Sequence, residues 1–302
     1  MVPMSAARRD RLEARLVQRP ERKAPVIAPA SDADDLVQPL SWITRLRRSP
    51  STLSFLSLIL LAICWEGYGR WVQNDLLFPT LTQTLRAFAE SIADGELPDR
   101  IGTSLGILAT GYVIGIALAA LLTTLAVASR FGTALLGMLS AMFNPLPAIA
   151  LLPLALLWLG IGRASLIFVI VHSVLWAVAM NAQTGFQAVS PVLRMVGQNV
   201  GLRGWRQVVF ILAPAALPSI LAGLKIGWAF GWRTLIAAEL VFGAAAQSGG
   251  LGWFIFENRN QLRVDAVFAG LLAVVLIGLV VETALFRVIE RWTVNRWGMQ
   301  RV

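Results

Sequence analysis

The stretch IGTSLGILATGYVIGIALAALLTTLAVA, Ile101 to Ala128, decides the class of fold. It carries no Asp, Glu, Lys or Arg and shows no strand-like alternation of polar with apolar residues. It also exceeds the roughly 20 apolar residues that a helix needs to cross the hydrocarbon layer of a bilayer. Five further runs are of the same kind, at about Leu53–Val72, Ala134–Leu159, Ala164–Asn181, Ile220–Val241 and Ala266–Phe286. The expected fold is all-α, a polytopic membrane helix bundle of about six transmembrane helices, because a helix satisfies its own backbone in lipid.

Composition agrees. Of 302 residues, 57% are hydrophobic and 14% charged, and mean hydropathy is +0.68, whereas a soluble domain carries roughly 25% charged residues. The net charge of +9 is explained by where the charges lie. With the N-terminus inside, 18 Lys and Arg residues fall on the inner side and 6 on the outer, as membrane topology requires. No basic face with interleaved aromatics is present, so no nucleic-acid partner is expected. Residues 1–50 lack the apolar core of a signal peptide and are Ala/Pro/Asp-rich from Pro25 to Asp35. They read as a cytosolic, largely disordered tail, with the transmembrane domain over 51–302. Cys64 lies alone in an apolar run and reads as a small buried hydrophobe.

Between the first two runs, Thr80 to Asp94 places Leu81, Leu85, Phe88, Ala89 and Ile92 at helical spacing, with Gly95 as the stop. This predicts an amphipathic surface helix capping the outer side. Trp65, Tyr68 and Trp71 read as interfacial anchors. The third run contains Asn144-Pro145-Leu146-Pro147 and then Pro153. Each proline removes a backbone donor and clashes with the preceding turn, so this helix must bend or break. Broken backbone at membrane depth either packs inside a bundle or lines a pathway, and Asn144, Pro145 and Pro147 are the candidates for the second role.

A long loop, about 183–217, joins the fourth and fifth runs. Ser190-Pro191 is a helix-start signal, Val192, Met195, Val196 and Val200 recur on one face, and Gly201 ends the pattern. The prediction is an amphipathic helix of about ten residues, roughly 15 Å long. Spacing alone leaves two roles open, a passive membrane-surface helix and a knob that docks into a cytosolic partner.

Here the chain resembles the binding-protein-dependent ABC transporter permeases. Their corresponding loop reads Glu-Ala-Ala, three residues, Gly, nine residues, Ile-x-Leu-Pro. In this chain the register is Met195-Val196-Gly197, then Gly201, then Ile211-Leu212-Ala213-Pro214, followed by Leu217-Pro218-Ser219-Ile220. The resemblance covers about Phe78 to Trp292 and is nearest to the nitrate/sulfonate/taurine branch. It includes Phe78-Pro79-Thr80-Leu81, Leu157-Trp158-Leu159-Gly160-Ile161-Gly162, Ala237-Ala238-Glu239, Gly249-Gly250-Leu251-Gly252-Trp253 and the run Arg263 to Gly270.

The resemblance implies a coupling helix that docks on a separate ATPase subunit, with Pro191, Arg194, Met195, Gly197, Gly201, Arg203 and Pro214 as coupling residues. It also implies a second permease copy, most simply in a homodimer, an extracytoplasmic solute-binding protein, and residence in a bacterial inner membrane with both termini cytoplasmic. ATP and Mg would be bound by the ATPase, and no cofactor by this chain. Consistent with that, neither Lys23 nor Lys225, the only lysines, lies in a phosphate-binding loop of the G-x-x-x-x-G-K-[ST] form. Met195 stands where the family has an acidic residue and Ala213 where it has leucine, so the salt bridge of that acid is not carried over.

Lys225, Arg233 and Glu239 lie in one apolar run, and an ionisable group there costs at least a few kcal/mol. Arg233 is the candidate for holding an anion such as nitrate or a sulfonate, and Lys225 is expected to snorkel to the interface. Glu239, rotated by about 240° from Arg233 at 100° per residue, is placed with the pathway set as a residue holding loop geometry. His172, the only histidine, reads as a hydrogen-bonded packing residue, and no metal site is expected. Two other functions compete. An ion-coupled secondary transporter would need inverted repeats with midplane carboxylates. A membrane-embedded enzyme or lipid-handling protein would need a reactive cluster at one interface.

Overall fold

The computed structural model describes residues 50–127, 129–242 and 249–295. The N-terminal tail expected over 1–50 lies outside them except for Pro50, as do Arg296 and Arg301. Two compact units divide at residue 59. In the first, the described residues are the opening turns of α1 (Pro50–Val72), where Ser57 Oγ donates to Leu53 O at 2.8 Å.

The rest is helical throughout. After α1 come α2 (Leu81–Ala93), α3 (Glu96–Val127), α4 (Arg130–Phe143), a 3₁₀ turn (Ala148–Leu151), α5 (Leu152–Leu159) and α6 (Arg163–Ala188). Then follow α7 (Pro191–Asn199), a helical run Trp205–Ala215 called α8, α9 (Leu217–Phe242), α10 (Leu251–Asn260) and α11 (Val264–Val280), which continues through wider turns to Asn295. Among the described residues, four helices are long and apolar enough to cross a membrane. The two bent pairs, α4 with α5 and α8 with α9, raise the number to six.

Two stripes of glycine place α6 at the centre. On α3, Gly111 and Gly115 lie so close to α6 that an added Cβ would sit 2.7 Å from Ile170 and 2.8 Å from Val174. On α9, a Cβ at Gly223 would lie 2.7 Å from Asn181 Cβ, and one at Gly227 3.1 Å from Val178. Small residues every fourth position let helix backbones approach where lipid offers no hydrophobic drive for association. Accordingly 56% of the membrane-length part of α6 is buried, against 28% for α3 and 22% for α11.

The prolines break the third run as expected. Asn144 N–H still donates to Ser140 O at 3.0 Å, but Pro145 and Pro147 have no N–H to give, and the chain resumes as α5 at 87° to α4. A second break, of 83°, falls at Ala216 between Pro214 and Pro218.

One expectation is corrected. The coupling loop does not begin at 183, because α6 runs on to Ala188, held by Gln183 Nε2 donating to Thr133 O at 2.7 Å and by buried Phe186. Lys225 has its Nζ 3.1 Å from Glu282 on the continuation of α11.

The amphipathic helix expected over Thr80 to Asp94 forms as α2. Thr80 and Gln83 make a reciprocal capping box at the start of α2, and Gly95 ends it at φ +78°. Glu66 of α1 accepts from the backbone and hydroxyl of Thr82, both at 3.0 Å, and so helps to cap α2.

Candidate functional site

The break after α4 opens a cavity of about 260 Å³. Phe143 to Ala148 line it from the break, His172, Ser173 and Trp176 from α6, and Phe230, Arg233 and Thr234 from α9. Asn144, Pro145, Pro147 and Arg233, far apart in sequence, therefore meet at one place.

Among the described residues, Arg233 is the only charged one lining the cavity. Its Nε donates to Ala229 O of its own helix at 3.1 Å, and its guanidinium lies 5.0 Å from the centre of the Phe230 ring. No carboxylate lies within ion-pair distance of it among the described residues. A cation at membrane depth without a counter-charge is costly, and such groups face interiors or aqueous paths. Most of the fork's donors find no partner among the described residues, and their geometry matches an oxyanion.

The walls differ in character. Phe143 and Trp176 stack with ring centres 5.1 Å apart and planes 12° from parallel. Ser173 and Thr234 share a 2.8 Å hydrogen bond between their hydroxyls, tying α6 to α9. His172 meets Phe143 and Trp176 edge-on, each at 6.4 Å, and neither of its ring nitrogens has a hydrogen-bond partner among the described residues. Its reading as a hydrogen-bonded packing residue is thus corrected: the rings around it have no acceptor to offer. Leaving such a group unpaired costs about 1–3 kcal/mol.

Glu239 does not line this cavity. It is 3% exposed, one of its oxygens accepts from Gly252 N–H at 2.7 Å, and Ser104 Oγ lies 2.9 Å from both oxygens. Ser104 in turn accepts from Leu251 N–H at 2.8 Å. The carboxylate thus fastens the first turn of α10 to α3 and α9. A Cβ at Gly250 would overlap the same carboxylate, so only glycine fits there. Beside this clamp, Arg100 Nη1 donates to Gly249 O at 3.2 Å and Nη2 pairs with Glu257 at 3.3 Å.

The expected coupling residues gather around α7. Ser190 Oγ accepts from Leu193 N–H at 3.3 Å, with Pro191 in the first helical position. At the other end Gly201 takes φ +80° and Leu202 N–H returns to Gly197 O at 2.9 Å, a closure that favours glycine. Gly197 is buried, with Ile211 against it. Arg194 is spent internally, donating to Phe186 O and to Val189 O, and thereby holds α7 to the end of α6. Pro214 lies at the bend before α9, while Arg203 is exposed. The apolar stripe Val192, Met195, Val196 and Val200 is present but unpacked, each residue being 49–68% exposed.

Residues 111–294, more than half of the chain, match the family described as binding-protein-dependent transport system inner membrane component. The chain belongs to that family. Its relatives include the taurine transport system permease protein TauC of Escherichia coli, 37% identical over 150 residues, or 50% of this chain and 53% of that protein. The putative aliphatic sulfonates transport permease protein SsuC of Bacillus subtilis is 28% identical over 77% of this chain and 83% of its own length. The nitrate import permease protein NrtB of Synechocystis is 29% identical over 79% and 91%. This inner membrane component is accordingly a multi-pass permease subunit of an ABC importer, and a transport protein rather than an enzyme. The ion-coupled transporter and the membrane enzyme, both open on the sequence, give way to it.

Sequence reading missed the other half of the cavity. His172, Ser173 and Trp176 on α6, and Phe230 and Thr234 on α9, follow helical spacing, but nothing local says which helical face borders an opening.

Proposed function

We propose that this permease carries a small anion or zwitterion past Arg233, through the cavity at the broken helix. The observation that carries the reading is a guanidinium with no carboxylate partner among the described residues, set against a proline break at membrane depth. Taurine, aliphatic sulfonates and nitrate, named for the relatives, all present an oxyanion that such a fork can bind bidentately. In this reading α7 faces the cytoplasm, as do both termini, and its exposed apolar stripe docks on an ABC ATPase subunit that binds ATP and Mg. An extracytoplasmic binding protein delivers the solute, and a second copy of the chain completes a homodimer in the bacterial inner membrane. ATP-driven closure of the ATPases would move α7, and rocking of the bundle would expose the cavity to alternate sides.

The test is reconstitution of the complete transporter in proteoliposomes, with uptake and ATP hydrolysis measured together. Arg233→Gln should abolish solute uptake while basal ATP hydrolysis persists. Gly201→Asp, which forces a side chain into a left-handed turn, should uncouple hydrolysis from uptake. Undiminished uptake in Arg233→Gln would remove the cavity from the path.

A further inference from the structure

The walls of the cavity carry more information than its charge. Nitrate has four heavy atoms, whereas a space of about 260 Å³ approaches the ~300–1,000 Å³ of sites that take small organic molecules. Among the described residues no Asp or Glu lines it, so the ammonium of a zwitterion such as taurine finds no counter-charge there. What lines it instead is aromatic: the Phe143–Trp176 stack and Phe230 beneath Arg233. His172 adds the edge of its ring.

Resting on the anion pathway proposed above, we propose that the cavity selects a flat, unsaturated monoanion, an arene sulfonate or arene carboxylate. Arg233 holds the oxyanion, and the Phe143 and Trp176 rings, with the edge of the His172 ring, take the ring of the solute. Each part answers an otherwise unexplained feature. The guanidinium gains an anion, and the ring walls gain an offset-stacked or edge-on partner. Aliphatic sulfonates would satisfy only the first of these. Selection here adds to any made by a binding protein, since discrimination requires only that the wrong solute leave polar or aromatic groups unsatisfied.

Saturation-transfer NMR on the permease–ATPase complex in nanodiscs reads weak ligand binding directly, with benzenesulfonate and taurine as probes and nitrate as competitor. Benzenesulfonate should bind at least several-fold more tightly than taurine, with the strongest transfer to its ring protons. Arg233→Gln should abolish its signal. Phe143→Leu should weaken it by up to about tenfold, as loss of one aromatic contact allows, while leaving nitrate binding in place. If taurine binds as well as benzenesulfonate and both need Arg233, the aromatic selectivity is wrong and the anion path stands. Unchanged benzenesulfonate binding in Phe143→Leu would likewise overturn the selectivity alone. If no probe binds, or none depends on Arg233, both proposals fall. Should the arginine variant not assemble, the ranking of the two probes on the wild-type complex still decides the selectivity.

Discussion

Arg233 and Glu239 sit six residues apart on the same helix and meet opposite fates. Glu239 is buried and its oxygens are taken up by Gly252 N–H and the Ser104 hydroxyl. Arg233 is exposed to a cavity and, among the described residues, hydrogen-bonds only its own helix. Both are charges in an apolar run, so hydropathy treats them alike. What separates them is whether their hydrogen-bonding capacity is consumed at home. A charge fully used by its own chain is architecture, and one left with free donors beside an opening is available to something that passes.

That contrast predicts its largest effect at the clamp. Glu239→Ala should lower stability by about 3 kcal/mol, because it strands the Gly252 N–H and the Ser104 hydroxyl in a buried place, and each such orphan costs about 1–3 kcal/mol. Glu239→Gln, which keeps one acceptor, should cost less. Arg233→Gln should shift stability by no more than about 1 kcal/mol, since a single bond to a carbonyl of its own turn is lost. Thermal unfolding in nanodiscs, followed alongside uptake, checks the pair. Equal stability losses at the two positions would erase the distinction between them.

A middle-sized effect is expected where α9 meets α6, since that contact sets the position of both charges. Gly223→Val places a Cβ within 2.7 Å of Asn181 Cβ, and overpacking of this sort costs about 1–3 kcal/mol. The helices must part, so uptake and stability should fall together. Arg233→Gln, in contrast, should affect uptake alone.

Much of this is legible in the sequence because the relevant signals are local. The apolar runs mark the spans, Asn144 to Pro147 mark the break, and Ser190-Pro191 with Gly201 mark α7 to within a residue. The glycine stripes at Gly111 and Gly115, and at Gly223 and Gly227, are equally local but say little alone, since glycine is common in membrane helices and gains meaning only against a partner. The clamp at Glu239 and the lining by His172 and Trp176 join residues on different helices. No spacing rule reveals such pairings: Ser104 and Glu239 are 135 positions apart. The α10 helix, with little net apolar character, is likewise invisible as an element.

The smallest effect should come from the third charge on α9. Lys225 pairs with Glu282 at 3.1 Å, but the two side chains are 36% and 60% exposed, and exposed pairs contribute about 0–1 kcal/mol. Lys225→Met should therefore leave stability within about 1 kcal/mol and uptake near the wild-type rate, because the residue is absent from the cavity wall and its charge is already answered by a carboxylate. Uptake in Lys225→Met measured beside Arg233→Gln checks this. A loss at Lys225 as deep as that at Arg233 would mean that a local carboxylate does not retire a cation from transport, and the rule separating Arg233 from Glu239 would fail with it.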